Sequence, residues 1–169
     1  MLPAITLFFF GVVATLGIAS QTPGTVKNET ANTSNDHCDP TTVGVVGGGQ
    51  IQVSDCFAIM NIPHTANFSV EMSNWKDSTE FTDQYHGLFA VGSCELAVKR
   101  MDSGKSTTWI GKFDIRSIIN QSVQLARTGD GDQMETTHGK MDCNSEHGPA
   151  ACISWTVREA GNETRADCV

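Results

Sequence analysis

Histidine is the side chain best suited to proton transfer near neutral pH, and the chain carries five of them. Two have titratable company: His138 lies near Glu135 and Lys140, and His147 is beside Glu146. Two such bases facing one pocket, with a cation for the phosphate, would equip a small secreted hydrolase, a ribonuclease or a glycan-active enzyme. Nothing in the spacing makes the two sets converge, and a formal net charge of −8 would repel an RNA backbone. These histidines are therefore expected to be solvated loop residues, in a protein that is not an enzyme and does not bind nucleic acid. Asp130-Gly131-Asp132 opens like a calcium loop, but Met134 stands where the next oxygen ligand is needed, so a turn is expected there. Gly47-Gly48-Gly49 lacks the lysine and following helix of a phosphate cradle. No metal or cofactor is expected.

Cysteine and asparagine chemistry points to the secretory route. The six cysteines, Cys38, Cys56, Cys94, Cys143, Cys152 and Cys168, are even in number, lie beyond residue 20 and show no Cys-x-x-Cys spacing, which favours disulfides over a metal site. Residues 1–20 combine an apolar run, Ile5 to Ile18, with Gly17, Ala19 and Ser20 at a cleavage point, as in a signal peptide. That run is shorter than the ~20 residues a bilayer span needs, so no stable membrane insertion is expected. Asn-x-Ser/Thr acceptors occur at Asn28, Asn32, Asn67, Asn120 and Asn162. Asn120 sits mid-helix and is expected to be the least occupied. Trp75, in a polar loop with Asn74 and Lys76, reads as a lid on a sheet edge, with partner contact as the alternative role.

The elements that position these groups can be read from periodicity. Cys94, Leu96 and Val98 alternate with Glu95, Ala97 and Lys99, and Thr107 to Ile110 is β-branched and aromatic, so the two segments read as a hairpin closed at Asp102-Ser103-Gly104. A helix comes next, with Asp114 as N-cap, the stripe Ile115, Ile118, Ile119, Val123 and Ala126, and Gly129 as its end. A short helix begins at Ser54 and stops at Pro63, with Cys56, Ile59 and Met60 on one face and Cys56 pinning it to the sheet. Phe68, Val70 and Met72 alternate with Asn67, Ser69 and Glu71, the latter set facing outward. Leu88 to Val91 begins a strand whose apolar positions are out of phase with Cys94, Leu96 and Val98, so a bend or bulge is expected at Gly92. Gly139 to Cys143 and Ile153, Trp155 and Val157 complete the strands, while 41–50 is a connector with at most a short edge strand. The expected fold is α+β: an antiparallel sheet of about five strands with two helices packed on one face, stapled by disulfides. Residues 21–37, rich in Ser, Thr and Asn, read as a disordered leader, and 38–169 as a single domain.

The ordered series Asp55-Cys56, Gly92-Ser93-Cys94, Ile110-Gly111, Asp114-Ile115, Ile118-Ile119, Gly139-Lys140-Met141-Asp142-Cys143 and Trp155 resembles the fungal extracellular-protein-2 effector family of necrosis-inducing factors. The resemblance implies secretion by a fungus, action in the plant apoplast, and an α/β sandwich similar to killer-protein toxins. It carries over no catalytic residue. The expected activity is non-enzymatic binding of a host plant protein or cell-surface component; a channel-targeting killer-toxin activity and a small hydrolase are the alternatives. Cys38, Cys56, Cys94 and Cys143 match the family's cysteines, and the sequence does not choose among their three pairings. Cys152 and Cys168 are additional. Folding the C-terminal segment about Ala160-Gly161-Asn162 sets them opposite each other, so a Cys152–Cys168 terminal clip is expected.

Overall fold

The computed structural model describes residues 25–28, 36–39, 41–62, 68–72, 85–101 and 107–161. The strands are β1 (Thr25–Asn28), β2 (Thr42–Val45), β3 (Ile51–Gln52), β4 (Phe68–Glu71), β5 (His86–Val91), β6 (Cys94–Arg100), β7 (Trp109–Gly111), β8 (Gln133–Met134), β9 (Thr137–Cys143) and β10 (Ala151–Glu159); the helices are α1 (Val53–Ile59) and α2 (Lys112–Ala126). A five-stranded antiparallel sheet runs β2-β9-β10-β6-β5, beside a three-stranded sheet β1-β4-β7 and a short pair β3-β8.

β10 is central because it is apolar along one face and small and hydroxylic along the other. Ile153, Trp155 and Val157 are fully buried, and Ser154 and Thr156 are buried behind them. Thr156 Oγ1 donates to the Thr137 carbonyl at 2.9 Å, which satisfies a hydroxyl that burial would otherwise penalise. Across the sheet Trp155 lies opposite Val98 on one side and Gly139 on the other. Both helices pack on one face: α2 over β2 and β9, α1 over β5 and β6. Ile115, Ile118, Ile119, Val123 and Ala126 are all buried, as their helical spacing predicts. Each fully buried isoleucine is worth about 1.5–3 kcal/mol. Two disulfides, Cys38–Cys143 and Cys56–Cys94, close the structure, the second pinning α1 to the start of β6.

The fold class and strand number agree with the sequence, but sheet membership differs from it. β6 does not form a hairpin with 107–110. Both of its edges are taken, by β10 from Ile153↔Arg100 to Glu159↔Cys94 and by β5 through a two-residue turn, so β7 pairs with β4 instead. Gly92 opens that turn with φ 53°, where glycine is favoured, and the strand irregularity falls earlier, between Gly87 and Phe89. Glu71, read as outward, is buried in the middle strand of the sheet β1-β4-β7. Gln52, not Ser54, is the N-cap of α1; the Ser54 hydroxyl donates to Asp132 at 2.8 Å. Gly111, not Asp114, is the N-cap of α2. Within the stretch read as a disordered leader, Thr25–Asn28 pairs antiparallel with β4, whose open edge offers free backbone partners. Trp75, Asn32, Asn67, Asn162 and Cys168 lie outside the described residues.

Candidate functional site

Among the described residues, a cleft with converging polar groups lies where the chain crosses the start of α2. Asp114, in the first turn of that helix, turns its carboxylate back: Oδ2 accepts the Gly111 N–H at 2.7 Å and the His37 N–H at 3.1 Å, and Oδ1 accepts the Cys38 N–H at 3.3 Å. An acidic group here suits the orphan N–H donors and positive end of the helix. The incoming segment is fixed by the Cys38–Cys143 bridge, by Asp39 N–H to the Asp142 carbonyl at 2.9 Å, and by Asn144 N–H to the His37 carbonyl at 2.8 Å. The His37 ring lies 6.2 Å from Trp109, tilted by 37°.

Asp114 is only 5% exposed. Burial pushes its carboxyl up to about 7, opposed by the Gly111 and His37 N–H groups and reinforced by a hydrogen bond that its protonated form donates to the neighbouring Asp36 and by the charge of Asp36. The two aspartates border an open cleft of about 270 Å³ whose walls include Asp39, Thr41, Ser117, Met141 and Phe113. Phe113 is 55% exposed. The cleft thus sets carboxyl groups beside an aromatic ring, which is chemistry for holding a basic group with an aliphatic stem.

The residues singled out for catalysis lie elsewhere. His138 pairs with Gly44 and Thr156, and Lys140 with Thr42 and Ser154, so both sit on the sheet face away from the helices. On that face Tyr85 Oη and Ser154 Oγ share a hydrogen bond at 2.7 Å, Lys99 stands 6.0 Å from the Tyr85 ring, and Arg158 Nε donates to Glu95 at 2.8 Å. Glu135 precedes β9, its N–H bonded to the Ala126 carbonyl. Glu146 and His147 are exposed in the loop before β10. Asp130-Gly131-Asp132 is a turn, with Arg127 Nε donating to the Gly131 carbonyl at 2.9 Å. Among the described residues no group of three or more His, Cys, Asp or Glu side chains is placed to hold a metal ion, and no helix is long and apolar enough to cross a membrane.

Sequence reasoning missed Asp36, which it placed in the leader, and Phe113. Phe113 escaped because the sequence reading capped the helix at Asp114 and left Phe113 outside it, whereas α2 begins at Lys112. Asn120 is exposed on the same helix.

The chain is thus a disulfide-stapled α+β fold with an acidic, aromatic-rimmed cleft at the start of α2. The model of the Hce2 family, described as pathogen effector and "putative necrosis-inducing factor", matches residues 37–143, and the chain belongs to that family. The match spans both disulfides and Asp114; Asp36 and the central strand β10 lie outside it. No curated protein matches the chain.

Proposed function

We propose that the protein is a secreted fungal effector that works in the plant apoplast by binding a host protein or cell-surface component without catalysis, and that the cleft at the start of α2 makes the contact. The observation that carries this reading is Phe113: a large aromatic side chain, more than half exposed, at the rim of a cleft that also holds the Asp36–Asp114 carboxyl pair. Exposing an aromatic ring gains nothing for folding, whereas an aromatic anchor next to charge is a common centre of binding energy. The partner group that fits is a lysine or arginine side chain whose stem lies on the ring. Immobilised protein should retain a host apoplastic component from leaf fluid, and Phe113→Glu should retain none of it; equal retention by both would reject the cleft as the contact.

A further inference from the structure

We propose that the outer edge of β2 is a self-association surface, where two copies of the chain join their β2 strands antiparallel about a two-fold axis at Gly44 and make one continuous sheet. β2 ends the five-stranded sheet and, among the described residues, pairs only with β9. Which backbone groups it leaves outward follows from the ladder. Val46 N–H donates to the Thr136 carbonyl at 2.9 Å, and bonds to one neighbour recur at every second residue, so Thr42 and Gly44 face β9 while Val43 and Val45 present their N–H and C=O groups outward. Such an edge is a template for another strand, and native proteins blunt it with lysine, proline or an inward-pointing charge. β2, Thr-Val-Gly-Val, has none of these. Its flank is apolar: Val45 is 41% exposed, and Leu125, two turns beyond the cleft-lining Ile118 on the same side of α2, is 54% exposed. Charge and register select a second copy as the occupant. The chain carries a formal net charge of −8, so two copies repel except where charge is absent, and residues 40–54 hold no Asp, Glu, Lys, Arg or His. With the axis at Gly44, Val43 of one copy opposes Val45 of the other and the two exchange both N–H···O bonds, twice over by symmetry. Gly44 then meets Gly44 in the close pair. The side-chain space this leaves on the face away from the helices is already filled by His138, since a Cβ at Gly44 would lie 2.9 Å from its Nε2. The same axis sends the Asp39 end of each strand toward the Gly47-Gly48-Gly49 end of the other, away from like charge.

Sedimentation equilibrium of the purified protein from about 10 μM to about 1 mM covers the range of a contact smaller than a standard interface. The average mass should rise from that of one chain toward twice it. Amide exchange followed by NMR over the same series should find Thr42 and Gly44 slow at every concentration, because β9 holds them, and Val43 and Val45 slowing only as the dimer fills. Val45→Pro removes an outward N–H and no bond to β9, so it should raise the dissociation constant about tenfold or more, whereas Val45→Thr should change it by less than about threefold. The dimer is overturned by a single-chain mass across the whole series, by association that leaves Val43 and Val45 exchange unchanged, or by folded Val45→Pro that associates as tightly as wild type. Val43 and Val45 amides that are slow at every dilution would also overturn it, because the edge is then covered within one chain. None of these readings uses a host component, so a failed dimer leaves the proposed function as it stands.

Discussion

Cys38 and Cys143 meet as an isolated β-bridge and are joined by a disulfide although 105 residues separate them in the chain. The bond fixes the segment that crosses α2 against the end of β9, so the site at Asp114 and the closure of the fold depend on the same pair.

The two bridges should be unequal in what they protect but similar in size. On the chain-entropy estimate, removing a loop closure of this length costs about 4–5 kcal/mol, and the shorter Cys56–Cys94 loop about 4 kcal/mol. Cys38→Ser/Cys143→Ser and Cys56→Ser/Cys94→Ser should each lower the unfolding free energy obtained from denaturant titration by such amounts. Only the first should also lower the amide protection of His37 and Cys38. Peptide mapping without reduction should recover Cys38 with Cys143 and Cys56 with Cys94.

Gly139 is where β9 tolerates no side chain. A Cβ there would overlap the Thr42 carbonyl oxygen and the Trp155 indole. Gly139→Ala should therefore cost about 3 kcal/mol or more, by parting β2 from β9 or displacing the central tryptophan. Gly131→Ala, whose Cβ would come no nearer than 3.6 Å to the Thr128 carbonyl, should stay within about 0.5 kcal/mol. Urea midpoints of the two variants check the contrast.

Stability should fall as pH rises from the ordinary carboxylate range toward 7. Asp114 is pushed up to about 7 in the folded state by burial and by Asp36, whereas in the unfolded chain it titrates at about 3.9. Between these values the folded state holds a proton that the unfolded chain has released, so its contribution is complete below about pH 4 and is lost through pH 7, with a slope of up to about 1.4 kcal/mol per pH unit. Subtracting the Asp114→Asn profile from the wild-type profile isolates this contribution. A difference that rises with pH would contradict the assignment.

Much of the fold was legible because its signals are local. The stripe from Ile115 to Ala126 and the alternation of Ile153, Trp155 and Val157 are set by one face of one element meeting the core, and both are buried as spaced. Which strand pairs with which is a nonlocal question. The apolar runs around Leu96 and Ile110 look like hairpin partners, and nothing within them records that β10, more than fifty residues later, claims the edge of β6. The site was less legible still: it depends on Cys38 choosing Cys143, which brings Asp36 to Asp114 across 78 positions of sequence. Phe113 was hidden by the misplaced cap, which started the helix after Asp114 rather than at Lys112.

The most direct test of the central claim is infiltration of purified protein into leaves of a broad host panel at matched doses. Wild type, Phe113→Glu and the double variant His138→Ala/His147→Ala are compared after their folds are matched by circular dichroism. Cell death or suppression of a defence response should appear with wild type in some genotype, persist in the double histidine variant, and require at least tenfold more of Phe113→Glu. Full activity of Phe113→Glu would contradict a binding mechanism at the cleft, and loss of activity in the histidine variant alone would do so and point to chemistry at His138 or His147.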